Sequence, residues 1–113
     1  MEKIDEKELE NKVTQKLKDI YDPEIPVNIY DLGLIYKIEF EFKDRLIYCY
    51  ITMTLTSPGC PVADSLLDQV KYISQSLDEI FECYVELTFE PMWTKEMISQ
   101  EGIEILELNG MIV

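Results

Sequence analysis

Residues 34–55 read LIYKIEFEFKDRLIYCYITMTL, and their alternation decides the fold. Leu34, Tyr36, Ile38, Phe40 and Phe42 interleave with Lys37, Glu39, Glu41 and Lys43. Successive side chains of a pleated strand point to opposite faces, so this period predicts a strand over 34–43 with one buried side. Lys43-Asp44-Arg45 reads as a turn. Residues 46–55 then predict a partner strand. Ile47, Cys49, Ile51, Met53 and Leu55 share its apolar face, while Tyr48, Tyr50, Thr52 and Thr54 share the other. The two strands read as an antiparallel hairpin.

Upstream, Leu9, Val13, Leu17 and Ile20 recur at helical spacing and predict a helix over 5–20. Asp22-Pro23-Glu24-Ile25-Pro26 ends it, because each proline fixes φ and disfavours helix in the residue before it. A loop continues to Gly33. Downstream, Thr56-Ser57-Pro58-Gly59-Cys60-Pro61 is a loop of helix breakers. A helix over 62–78 follows, with Ala63, Leu66, Leu67, Val70, Ile73 and Leu77 as its apolar stripe. Cys83, Val85, Leu87 and Phe89 alternate with Tyr84, Glu86 and Thr88 and predict a third strand over 83–89. Glu90-Pro91-Met92-Trp93 is a loop in which Trp93 anchors against the core. Thr94 is positioned to cap a last helix carrying Met97, Ile98, Ile103 and Leu106, which Asn109-Gly110 closes.

The predicted fold class is therefore α+β, a two-layer sandwich in the order α-β-β-α-β-α. Helices cover a small three-stranded mixed sheet, and residues 1–113 form a single domain. A right-handed crossover from the second strand to the third makes those two parallel.

Composition narrows the chemistry. The 113 residues carry 23 acidic and 10 basic side chains, no histidine, and a net charge of −13. Lys3, Lys7, Lys12, Lys16 and Lys18 nearly balance the acids of the first twenty residues, so the negative charge belongs mainly to the folded body. A body of that charge repels phosphate backbones and anionic lipid, which argues against nucleic-acid and membrane partners. Without histidine, Ser-His-Asp triads, Cys-His dyads and histidine metal cages cannot be built from this chain. Cys49, Cys60 and Cys83 are odd in number and form no CxxC, which predicts neither a disulfide framework nor a zinc knuckle. The charged start and reduced thiols predict a cytoplasmic protein.

Cys60 is the residue best suited to chemistry. Pro61 fits the first turn of a helix, which places Cys60 near the N-cap, where backbone N–H groups and the helix dipole favour thiolate. The competing reading is a small residue filling a loop corner. Cys49 and Cys83 lie on apolar strand faces and read as core. Asp22, Glu24 and Asp31 read first as turn residues, with a second reading as oxygen ligands beside Cys60 or as an acidic docking patch. Tyr48 and Tyr50 read either as an exposed interaction face or as a surface covered by a helix.

Three segments carry a resemblance to a known family. They are Asp22-Pro23-Glu24-Ile25-Pro26-Val27-Asn28-Ile29-Tyr30-Asp31-Leu32-Gly33-Leu34-Ile35-Tyr36, Met53-Thr54-Leu55-Thr56-Ser57-Pro58-Gly59-Cys60-Pro61, and Glu90-Pro91-Met92-Trp93-Thr94. In that order they resemble the SufT/PaaD-like family. Its relatives include the N-terminal domain of Mrp-type ATPases and the eukaryotic cytosolic iron–sulfur targeting subunit. The resemblance implies an iron–sulfur-assembly-type domain that assists cluster assembly or transfer and is not an enzyme. It implies Cys60 as the reactive residue, with Asp22 and Glu24 in the same site and Thr54 and Ser57 nearby. The third segment departs from the family's Asp-Pro-Pro-Trp-Thr-Pro. The chain also lacks the cysteine-rich tail of the PaaD branch and any P-loop.

One thiolate cannot fill a cluster's usual four ligands. Any bound iron or iron–sulfur cluster is therefore expected to be labile and shared, through a Cys60 pair across a homodimer or through partner thiols. The expected partners are iron–sulfur assembly proteins and client apo-proteins. The alternative is a protein–protein adaptor that binds no metal or cluster.

Overall fold

A computed structural model of the chain describes residues 6–21, 25–56 and 63–110. The element order is α1 (Glu6–Leu17), β1 (Ile35–Lys43), β2 (Leu46–Met53), α2 (Ala63–Gln75), β3 (Glu82–Leu87), a 3₁₀ turn (Lys95–Met97) and α3 (Gln100–Leu108). This is the α+β sandwich the hydrophobic periods dictate. The sheet runs β1-β2-β3, with β1 antiparallel and β3 parallel to the central β2.

The hairpin turns through Asp44 and Arg45, both at positive φ (52° and 68°), the backbone twist a two-residue hairpin needs. Ile47, Cys49, Ile51 and Met53 of β2 are buried, as is Cys83 of β3. They pack under Leu9, Val13 and Leu17 of α1 and Leu66 and Val70 of α2. The end of α2 is fixed to the start of β3 by the Cys83 N–H, which donates to Gln75 Oε1 at 3.0 Å. Lys12 of α1 pairs with Glu79 beyond α2, and this contact raises the lysine's pKa and lowers the glutamate's. No helix among the described residues is long and apolar enough to cross a membrane.

Three expectations need correction. The first concerns β1. Its register slips between Ile35 and Lys37, so Ile35 opposes Met53 while Lys37 opposes Thr52. This bulge turns Ile35 toward the core and carries Tyr36 off the face shared by Ile38 and Phe40. Phe42 also escapes burial, because it lies at the hairpin tip, beyond the helical layer.

The second concerns Thr54, which was expected on the open face. The strand ends at Met53, the chain leaves the sheet, and Thr54 is fully buried.

The third concerns the last helix. Thr94 precedes only the 3₁₀ turn and its side chain caps nothing. The backbone straightens at Ile98, and α3 starts afresh with Ser99, whose Oγ accepts from the Gly102 N–H at 3.0 Å.

Gly33 sits at φ +84°, and a Cβ there would lie 2.3 Å from the Met97 carbonyl oxygen. Gly110 has a similar φ of +75° and open space around it. Gly33→Ala should therefore cost about 2 kcal/mol or more, against about 1 kcal/mol for Gly110→Ala, where only the left-handed backbone is penalised. Urea denaturation of the two variants measures the difference, and equal losses would refute the close approach.

Candidate functional site

The topology brings the described parts of the segments singled out in the sequence, 25–36, 53–56 and 90–94, to one end of the sheet. β2 and β3 are parallel, so the chain leaves both at the same edge. β1, antiparallel to β2, enters there. Because the end of α2 is tied to the start of β3, its first residue, Ala63, faces that edge too. The approach to β1, the exit from β2 and the exit from β3 therefore meet at the carboxyl ends of the parallel strands. Ligands of open α/β sheets bind outside such ends.

The approach to β1 is a turn capped at both ends. Asn28 Oδ1 accepts from the Asp31 N–H at 2.9 Å, and Asn28 Nδ2 donates to Asp31 Oδ2 at 2.8 Å. At the other end the Gly33 N–H donates to Tyr30 O at 3.0 Å and the Leu34 N–H to Ile29 O at 3.1 Å. These two bonds form the Schellman pattern, with glycine in the left-handed position that the pattern requires. Val27, Ile29, Leu32 and Leu34 drop into the core from this turn.

The other segments hang from it. The Thr54 N–H donates to Leu34 O at 2.8 Å, joining the exit of β2 to the capped turn. The Thr88 N–H donates to Met53 O at 2.8 Å, joining the exit of β3 to that of β2. Half-buried Trp93 donates its Nε1–H to Leu32 O at 2.7 Å, the anchoring role expected of it. Tyr36 Oη donates to Pro91 O at 2.8 Å.

α3 is clamped to the same turn. Ser99 Oγ donates to Asp31 Oδ1 at 2.8 Å, and the Ser99 N–H donates to Asp31 O at 2.8 Å. Gly102 allows this approach, since a Cβ there would meet Asp31 O at 3.1 Å and Ile98 Cγ2 at 2.8 Å. Asp31 is 6% exposed. All of its described partners are structural, so the turn-forming reading of this carboxylate holds.

Of the residues proposed from sequence, Asp22, Glu24, Ser57 and Cys60 lie outside the described residues. Thr54 is described. Its side chain is buried, and its Oγ1 reaches only Leu55 O, at 3.5 Å. Among the described residues, no group of three or more acidic or thiol side chains could hold a metal ion.

Cys49 and Cys83 are buried neighbours across β2 and β3. Cys49 is held well above the ordinary thiol range, because it donates its S–H to Cys83 and lies away from water. That donation pulls Cys83 downward, and burial opposes the pull. Neither thiol is open to solvent.

The clamp at Ser99 is not among the residues that the sequence motifs single out. Its signal is Ser99-Gln100-Glu101-Gly102, a capping residue followed by an acid in the first turn. Ser99→Ala removes both the cap and the Asp31 partner and should cost about 1–3 kcal/mol. Adding Asp31→Asn should then cost less than it does alone, and a thermal-melt double-mutant cycle reads that coupling. A Cys60→Ser protein should show no native reaction with a thiol-specific aromatic disulfide near pH 8 and two reactive thiols once unfolded. Native labelling would contradict the burial of Cys49 and Cys83.

The chain matches a family model described as iron–sulfur cluster assembly protein over residues 10–87. It is 42% identical over 100 residues to the Fe-S protein maturation auxiliary factor of Porphyromonas gingivalis, covering 88% of this chain and 90% of that protein. It is 38% identical over 81 residues to the Fe-S protein maturation auxiliary factor SufT of Staphylococcus aureus, covering 72% of this chain and 89% of that one. A solved structure of a domain of unknown function, DUF59, from Bacillus anthracis superposes with a TM-score of 0.81 at 33% identity, covering 90% of this chain and 94% of that one.

Proposed function

The chain belongs to the iron–sulfur cluster assembly protein family, and from that premise we propose that it is a non-catalytic maturation factor for iron–sulfur proteins. It assists cluster assembly or transfer through Cys60, with Asp22 and Glu24 contributing to the same site. The observation that supports this reading is the convergence of the described parts of the three sequence segments, 25–36, 53–56 and 90–94, at the carboxyl ends of β2 and β3. Segment 57–62 joins Thr56 to Ala63, and both flanks belong to that end.

The chemistry follows from what the chain holds. With no histidine and with Cys49 and Cys83 sealed in the core, Cys60 is the thiol left for soft-metal work. A single thiolate holds cargo loosely, since iron–sulfur clusters take four. The remaining ligands come from a second protomer, from a small thiol or from the protein that receives the cluster. Loose holding suits a carrier, because transfer requires release. The partners are then iron–sulfur assembly proteins and client apo-proteins, and the setting is the reducing cytoplasm.

A second reading is a protein–protein adaptor without metal or cluster, and the uncovered tyrosines of the sheet favour it. Anaerobic incubation with iron and sulfide separates the two. Wild type should develop thiolate-to-iron absorbance and a native mass above that of the apo-protein, and both should vanish in Cys60→Ser with its melting temperature unchanged. If Cys60→Ser also restores iron–sulfur enzyme activity in cells as well as wild type does, the adaptor reading stands instead.

A further inference from the structure

The sheet face turned away from the helices carries a pattern that the strand-end site does not use. Register places Glu41, Tyr48 and Glu82 in one cross-strand row and Glu39, Tyr50 and Tyr84 in the next. Lys37, Thr52 and Glu86 form the row after that. Rows stand about 7 Å apart along a strand and neighbouring strands about 4.8 Å apart, so the two tyrosine rows make one continuous patch.

The rings confirm this. Tyr50 and Tyr84 stack with centroids 5.4 Å apart, Tyr48 and Tyr84 at 6.5 Å, and Phe81 meets Tyr48 edge-on at 5.6 Å. The patch is uncovered, with Tyr50 37%, Tyr84 43% and Phe81 56% exposed.

Its border is anionic. Tyr50 Oη donates to Glu41 at 2.8 Å and Tyr84 Oη to Glu82 at 3.1 Å. These carboxylates hold both phenols above their ordinary pKa, and hence neutral. Lys37 is drawn to Glu39 at 4.0 Å and partly offsets it, while Lys43 lies at the hairpin tip, so Glu41 and Glu82 carry the anionic border beside the rings.

That border decides what can cover the patch. Nucleic acid and anionic lipid are repelled by it. A second copy docking face to face would set glutamates against glutamates. Ring faces are the negative pole of the aromatic quadrupole, so rings and carboxylates together select a cation. Guanidinium fits best, because its plane stacks on a tyrosine while its fork takes a carboxylate.

We propose that this face docks an extended, arginine-bearing segment of a partner protein. A cleft of about 760 Å³, bordered by Tyr36, Thr52, Glu86 and Pro91, continues the surface toward the strand ends. A segment lying along β2 therefore leads from the tyrosines to the end where Thr54 and Thr88 are tied. The inference goes beyond the maturation role and does not require Cys60.

The test is titration of the full chain with a synthetic nonapeptide alternating arginine and serine, beside its citrulline counterpart, followed by amide NMR shifts and calorimetry at ~0.15 M salt. Perturbed amides should cluster within 37–52 and 81–88, and citrulline should abolish binding. Glu41→Gln/Glu82→Gln and Tyr50→Ser/Tyr84→Ser should each weaken binding about tenfold. Glu8→Gln/Glu101→Gln, which removes the same charge elsewhere, should change affinity by less than about twofold. If the serine pair fails to fold, the glutamine pair alone decides. Equal weakening by the control pair, or shifts spread over the whole surface, would overturn the proposal in favour of a diffuse acidic field. Concentration-dependent shifts of the same amides without peptide would overturn it in favour of a second copy.

Discussion

The carbonyl oxygen of Met97 lies 2.3 Å from where a side chain at Gly33 would begin. That close approach fixes the exit of β3 against the entry to β1, and the rest of the strand-end architecture depends on it. With Gly33 left-handed, the Schellman bonds reverse the chain into β1 and aim Leu34 O at the Thr54 N–H. With Met97 held there, the chain straightens at Ile98 and Ser99 reaches Asp31. One glycine thus sets the relative positions of three chain segments whose sequence separation would otherwise leave them free. The ties are mostly backbone-to-backbone or backbone-to-side-chain, buried or half-buried, and satisfied. An end of a sheet built this way is rigid while presenting its outermost residues on connections, the usual division of labour between scaffold and site.

The hydrophobic periods made the layers legible. Alternation over 34–55 reports a half-buried hairpin because only one sheet face is covered by helices, and every apolar position from Ile47 to Met53 is buried accordingly. The failures have specific causes. Tyr36 departs from the alternation because a bulge costs one residue of register and leaves no mark on composition. Phe42 keeps the period without the burial, since the period records which face a residue is on and says nothing of how far the helices extend. Thr94 and Ser99 are equivalent caps in isolation, so local sequence alone starts the last helix at the first of them. The choice of Ser99 is made by Asp31, far away in sequence. At the site, the nature of Cys49, Cys83 and Trp93 could be read from strand parity and loop position. The clamp through Ser99 and Gly102 could not, because it is a tertiary contact between segments with no shared pattern.

Burial fixes the role of Cys49 and Cys83. Cys49 and Cys83 face each other across parallel strands, where one donates to the other and water is excluded. A thiol so placed gains nothing from the chain's negative field and behaves as a small apolar group. In a chain lacking histidine, thiol reactivity has to come from elsewhere, and connections at the strand ends are where helix termini and backbone N–H groups are available. The −13 charge bears on this too, since an acidic body disfavours thiolate unless a local positive end compensates. It also concentrates cations near the surface.

The uncovered side of the sheet follows from the same topology. A sheet of this size with helices on one side leaves its other side to solvent unless a partner covers it. Polar residues are the ordinary solution there, and threonines and glutamates supply part of it. Tyrosine is a different choice. Stacked as Tyr48, Tyr84 and Tyr50 are, the rings shield apolar area from water while each Oη stays free to bond at the rim. Because β3 is parallel to β2, Tyr84 falls beside Tyr50, whereas a one-residue slip would have turned it into the core. The parallel crossover that aligns the strand ends therefore also assembles the tyrosine patch. One geometric constraint serves both surfaces, and the cleft lined by Thr52 and Glu86 is where they meet.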